Sequence, residues 1–104
     1  MRYLPLTARI GIGEPDEGGF VAYCSELDVA SQGETVEEAL SNLQDAVDTY
    51  VAVLIDLGDL QSVLEARGLQ PESHEPTTKY NVSVARGEFA TALVARFDND
   101  RVPV

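Results

Sequence analysis

Carboxylates are the side chains of this chain that are most able to do chemistry, because 18 Asp and Glu stand against seven Lys and Arg. Nuclease metal sites need carboxylates that converge at a sheet centre. The first strand-like stretch contains no acid, and Asp45, Asp48 and Asp56 have the spacing of a water-facing helix side. The Glu14–Glu17 stretch lacks the regular ligand alternation of a calcium-binding loop. The sequence therefore predicts a solvated acidic surface and no metal site.

The other candidate reactive groups are isolated in the sequence. His74, the only histidine, lies in a proline-flanked connector without a neighbouring cysteine or a spaced carboxylate. Cys24, the only cysteine, lies in an apolar stretch with no histidine nearby to activate it. Gly11-Ile12-Gly13 begins like a dinucleotide-binding fingerprint, but Asp16 stands where the third glycine belongs. We predict no catalytic residue, no cofactor and no enzymatic activity.

A long helix is the element that the sequence defines best. Thr35 and Glu38 have the spacing of a capping box, which predicts a helix that begins at Val36. Gly58 is suited to the left-handed conformation that ends a helix after Leu57. Apolar residues recur on one side of this helix, and they predict a stripe that faces a sheet: Val36, Ala39, Leu40, Leu43, Ala46, Val47, Tyr50, Val51, Leu54 and Leu57.

Three strands are predicted before this helix and one strand after it. Residues 6–12 alternate apolar and polar or small side chains, and a Pro- and Gly-containing turn leads to Phe20–Cys24, which reads as a central or doubly covered strand. Val29–Gln32 is a short third strand. A second helix capped by Asp59 ends at Gly68, and Tyr80–Ala85 alternates as a fourth strand. Beyond Gly87 the spacing of apolar residues slightly favours a helix, and we expect a frayed tail from Asp98.

These elements predict an α+β fold of order β-β-β-α-α-β, with a three-stranded antiparallel sheet followed by a long amphipathic helix. The length fits one domain over residues 1–104, with a core at 6–69, a connector at 70–78 and a C-terminal strand and tail at 79–104. The single cysteine excludes an intramolecular disulfide, and the longest apolar run, Tyr50–Ile55, is too short to span a bilayer. We expect a soluble cytoplasmic protein without a membrane partner.

The negative charge is distributed unevenly along the chain. The formal net charge is -11, and no Lys or Arg occurs between Arg9 and Arg67. A surface of this kind repels phosphate backbones and attracts basic partners. The simpler alternative, that the acid only keeps the protein soluble, is open at this point.

Two segments resemble a known family. The first is Gly18-Gly19-Phe20-Val21-Ala22-Tyr23 with Glu26-Leu27, and the second is Ser31-Gln32-Gly33-Glu34-Thr35-Val36-Glu37-Glu38-Ala39-Leu40. Together they resemble the HicB-like antitoxin family over Leu6 to Leu69. The resemblance implies a partial RNase H-like fold without catalytic carboxylates, and a small basic mRNA-cleaving toxin, HicA, as the partner whose active site is covered. Asp28-Val29-Ala30 departs from the family's Pro-Gly-Cys, and the few residues after Arg86 are not basic, so we expect no direct binding to nucleic acid.

Three functions are compatible with these observations. The first is a toxin-neutralising binding protein whose contacts are acidic loop residues, namely Glu14, Asp16, Glu17, Glu26 and Asp28. The second is an orphan regulatory or scaffolding module without a toxin, which forms homodimers or larger homo-oligomers through Val51, Ile55, Tyr80 and Val82. The third, a divergent nuclease, requires clustered carboxylates that the sequence does not provide.

Overall fold

The computed structural model describes residues 1–13, 18–76, 81–85 and 88–98, and at 81–85 and 88 it describes the backbone only. The bounds of its elements are β1 Arg2–Ile12, β2 Phe20–Cys24, β3 Val29–Gly33, α1 Val36–Leu57, α2 Leu60–Ala66, β4 Asn81–Ala85 and β5 Glu88–Phe97. The strands form one antiparallel sheet in the order β3-β2-β1-β5-β4. The predicted α+β class, the three-stranded start, the two helices and the fourth strand are confirmed.

Helix α1 has the ends that the sequence predicts. The Glu38 backbone N–H donates to Thr35 Oγ1 at 3.0 Å, which satisfies one of the free amide groups of the first turn. At the other end Gly58 has φ 74°, and the N–H groups of Gly58 and Asp59 donate to the Ile55 and Leu54 carbonyls. These two bonds form a Schellman-type end. The second helix, α2, begins after Asp59, but the Asp59 side chain makes no cap bond.

The core lies between α1 and one face of the sheet. Alternate residues of β1 face the helix, and Leu4, Leu6, Ala8 and Ile10 are all buried. Helix α1 contributes Ala39, Leu43, Val47, Val51, Leu54 and Ile55 to this layer. The helix therefore covers one face of the sheet, while Val21 and Tyr23 on the other face are exposed.

Two sequence predictions are wrong in detail. The stretch after Gly87 forms strand β5 and not a helix, because it pairs with β1 from Arg2↔Phe97 to Ile10↔Phe89. Strand β2 is an inner strand, which is one of the two predicted alternatives, and it is covered on one face only. Ile12 and Leu57, which were predicted to face the core, are 73% and 66% exposed, because each lies at an element end that its partner layer does not reach.

Two amides of α1 reach backbone carbonyls of two strands. Asn42 Nδ2 donates to the Gln32 carbonyl of β3 at 2.8 Å, and Gln44 Nε2 donates to the Val94 carbonyl of β5 at 2.9 Å. In the sheet, β3 and β5 lie on either side of the central pair β2 and β1. The helix therefore both covers one face of the sheet and is hydrogen-bonded to strands on either side of this pair.

Two leucines of α1 test this account of the core. Leu43 is fully buried and Leu57 is 66% exposed. We expect Leu43→Ala to lower the free energy of unfolding by about 2–5 kcal/mol, since it removes buried methyl groups and leaves a cavity. Leu57→Ala on the same helix should cost under about 1 kcal/mol. Urea denaturation of both variants measures the difference, and equal losses would contradict the described packing.

Candidate binding surface

Of the five predicted acidic loop residues, the structure describes only Glu26 and Asp28. Glu14, Asp16 and Glu17 lie outside the described residues. Glu26 and Asp28 lie in the turn from β2 to β3, which is the opposite end of β2 from its connection to β1. A five-residue strand separates its two ends by roughly 13–17 Å. Glu26 and Asp28 must therefore be judged by their own surroundings.

Glu26 has a structural role. Its Oε1 atom accepts a hydrogen bond from the Thr7 backbone N–H at 3.2 Å and lies 3.7 Å from the Cys24 thiol, which donates to it. Strand β2 pairs with β1 only from Arg9 to Ile12, so the carboxylate supplies an acceptor to β1 just beyond that pairing. The half-buried Glu26 side chain thus extends the polar contacts of the sheet.

Asp28 also has an intrachain partner. Its φ is 56°, a left-handed conformation that Asp tolerates better than most residues. Its Oδ1 atom accepts a hydrogen bond from the Tyr23 hydroxyl at 2.8 Å. This hydrogen bond raises the pKa of Tyr23, because it stabilises the protonated phenol beside a carboxylate. The bond ties the turn to the exposed face of β2.

Val51 and Ile55, two of the four residues predicted for self-association, are buried inside the chain's own fold. Val51 and Ile55 are 2% and 8% exposed and pack in the core of the same chain, because they lie on the sheet side of α1. Tyr80 lies outside the described residues. The backbone of Val82 lies in β4 opposite Ala90. The buried pair is thus unavailable to a second copy while the chain stays folded.

An acidic surface runs along the solvent side of α1. We call it the acidic face of α1 and define it by Glu38, Asp45, Asp48 and Asp56, all of which are exposed. The helix carries no Lys or Arg. Within the described residues the only salt bridge joins Arg96 to Glu75, outside this face. Gln44 Nε2 donates to Asp48 at 3.1 Å, and Arg96 of β5 interacts electrostatically with Asp48. Glu38, Asp45 and Asp56 make no salt bridge to another described residue.

The remaining polar groups do not form an active-site arrangement. A depression of about 490 Å³ beside β1 and β5 is lined by three carboxylates and one histidine, Glu26, Glu72, Glu75 and His74, together with apolar residues. Across the described ranges, no three His, Cys, Asp or Glu side chains lie close enough to hold a metal ion. Burial raises the pKa of the Cys24 thiol to about 11, which disfavours the nucleophilic thiolate.

Comparison with known protein families, curated proteins and solved structures gives no match to any of the three. Neither of the two helices that the structure describes has the length and apolar character needed to cross a membrane.

The low reactivity expected of the buried Cys24 thiol can be tested by chemical labelling. A rise in pKa from 9.0 to about 11 lowers the thiolate fraction about a hundredfold at pH 8. We expect Ellman's reagent to label the folded protein at least about a hundredfold more slowly than the urea-unfolded chain. Because the pKa is raised in the folded state, this group's contribution to stability is present below pH 9 and is lost between pH 9 and about 11. Fast labelling of the folded protein at pH 8 would contradict the buried placement.

Glu26 can be tested separately from any partner. Glu26→Ala removes the acceptor of the Thr7 N–H and should lower the free energy of unfolding by about 1–3 kcal/mol. Glu26→Gln keeps a carbonyl oxygen at that position and should cost less. Thermal or urea unfolding of the two variants measures the difference. If both variants unfold like the parent protein, the carboxylate does not support β1.

Proposed function

We propose that this chain is a non-catalytic, antitoxin-like binding protein that neutralises a small basic mRNA-cleaving toxin of the HicA type by covering its active site. The observation that carries the proposal is the acidic face of α1, which is exposed along a 22-residue helix that itself carries no Lys or Arg. The resemblance to HicB-like antitoxins supports the same class of partner.

The physical argument starts from what such a toxin must bind. A ribonuclease that holds mRNA presents cations to the phosphate backbone. Carboxylates spaced along a rigid helix pair with the same cations, and they repel the RNA that would compete for them. Toxin inhibition then needs no chemistry from this chain, because occupation of the RNA-binding surface is sufficient. Since the substrate is mRNA, the proposal places the complex in the cytoplasm.

The segments that resemble the antitoxin family lie next to each other in the fold. Residues 18–23 enter β2, and residues 31–40 form the end of β3 and the first turns of α1. Gly33 lies so close to α1 that a Cβ atom on it would be 2.5 Å from the Ala39 nitrogen. The glycine in the second segment therefore permits β3 to deliver α1 directly onto the sheet. This contact fixes the position of the helix and hence of its acidic face.

The proposal is tested by co-purification and by inhibition of the captured protein. The tagged chain is purified from its native host at about 0.05 M and about 0.5 M salt, and stoichiometric companions are identified by mass spectrometry. We expect a small basic protein that cleaves RNA when it is separated and is inhibited when the chain is restored. Association should slow as salt rises, because the carboxylates are exposed.

A matched pair of variants assigns the effect to α1. Asp45→Asn with Asp56→Asn removes two charges from the acidic face, whereas Asp59→Asn with Glu65→Gln removes two charges outside it. We expect the first variant to associate several-fold more slowly with the captured toxin, and the second to change association much less. Equal changes would indicate an effect of net charge alone. Absence of any basic RNA-cleaving companion would contradict the proposed function.

A further inference from the structure

A second apolar line on α1 lies mostly outside the core, although its member Tyr50 packs against the core's edge. Ala46, Tyr50, Val53 and Leu57 follow one another at intervals of four, three and four residues, and we call this line the apolar seam. Val53 and Leu57 are 47% and 66% exposed, while Ala46 and Tyr50 are half-buried. The core takes a neighbouring line through Leu43, Val47, Val51 and Leu54. The seam therefore lies at the margin of the helix–sheet contact and faces outward at its C-terminal end.

The spacing of the seam is that of a helix-pairing surface. Intervals of four and three residues place side chains on one narrow stripe, which is the arrangement that two packed helices share. Val53 and Leu57 are exposed, so the described chain leaves the C-terminal half of this stripe uncovered. Two large aliphatic side chains separated by one helical turn are thus presented to whatever docks there.

The residues that border the seam determine the charge of its occupant. Asp45 and Asp56 flank it on the solvent side, where both are exposed, and Thr49 lies between them. Asp48 lies further round the helix beside Gln44. No cationic residue occurs on α1. An occupant that packs on Val53 and Leu57 therefore meets carboxylates at the edge of the contact.

A second copy of the chain is disfavoured by these charges. Pairing two α1 helices along the seam would bring Asp45 and Asp56 of both copies to one interface, where neither α1 helix offers a Lys or Arg. Like charges at the edges of paired helices oppose association. A helix with apolar residues at the same spacing and Lys or Arg beside them meets both the seam and its rim.

We propose that the apolar seam and its flanking carboxylates dock a basic amphipathic helix of the partner protein. The apolar side chains of that helix pack on Val53 and Leu57, and its cations reach Asp45 and Asp56 with their aliphatic stems lying over the seam. This inference rests on the proposed function only in taking the partner to be basic. It assigns the docking element to a helix and the contact to the C-terminal half of α1.

The probes are three synthetic peptides of equal length, about three heptads each. The first has Leu at the a and d positions and Lys at e and g, the second has Glu in place of Lys, and the third scrambles the first. Binding to the full chain is measured by fluorescence anisotropy, and the site is located by amide chemical-shift changes. We expect only the first peptide to bind with shifts concentrated in residues 45–57, and to bind more weakly as salt rises.

Single variants assign the contact to the seam. Leu57→Ser should weaken binding of the first peptide about tenfold or more. Ile12→Ser changes a side chain that is 73% exposed elsewhere and should leave binding within about twofold. Asp45→Asn with Asp56→Asn should weaken binding and reduce its salt dependence. Unfolding curves confirm that each variant is folded, which its exposed position predicts.

Several outcomes overturn the inference. The first is binding of the scrambled peptide or the Glu peptide as tightly as the Lys peptide. The others are no binding of the Lys peptide, or chemical-shift changes outside α1 when it binds. Sedimentation of a dimer that Leu57→Ser dissociates would also overturn the inference. The result is separable from that of the proposed function. Localised peptide binding without any basic companion from the host would support the seam and contradict the antitoxin role. A captured toxin whose binding is unchanged by Leu57→Ser would support the antitoxin role and contradict the docking at the seam.

Discussion

The packing of one helix against one sheet face is the interaction on which the rest of the structure depends. Fully buried leucine, alanine and valine side chains of α1 interlock with the alternating residues of β1, and this layer contains most of the apolar core. Gly33 lets β3 pass within contact distance of the first turn of the helix. Because a chain of this length has one modest core, the helix cannot move without loss of the fold.

The same helix carries contacts in three directions. Its inner side forms the core, its two flanks donate Asn42 and Gln44 to strand carbonyls, and its outer side carries the acidic face. The flanking amides position the helix laterally, while the buried side chains set its distance from the sheet. The outer carboxylates are thus held on a rigid support, and rigid presentation limits the ordering cost of binding.

Features set by neighbouring residues were predictable from the sequence, whereas features set by distant ones were not. The limits of α1 follow from Thr35, Glu38 and Gly58, which act within one turn of the helix. The identity of β5 does not, because its apolar spacing fits both periods and only pairing with β1, far away in sequence, decides between them. The exposure of Leu57 depends on where the sheet ends, which no local pattern records.

The candidate binding surface was likewise only partly predictable from the sequence. Glu26 looked like a free acidic loop residue, yet it accepts a hydrogen bond from Thr7, a contact that only the turn geometry reveals. The acidic side of α1 was visible as a periodic pattern, but the partner contacts were predicted in the loops and not on this helix. Three of the four seam residues, Ala46, Tyr50 and Leu57, were counted with the core because they lie at the edge of the predicted stripe. Helical periodicity alone does not distinguish the edge of a buried stripe from a second, exposed apolar surface.

The carboxylates of this chain can be sorted by whether the fold uses them. Glu26, Asp28 and Glu75 each bind a group of the same chain, so their removal changes the structure before it changes recognition. Asp45 and Asp56 have no such group in the described residues, and with a net charge of -11 they add to self-repulsion in the isolated protein. A basic partner removes that repulsion as it binds. Asp45 and Asp56 therefore lower the stability of the free chain and gain a partner only in a complex. For this reason we assign recognition to these two carboxylates.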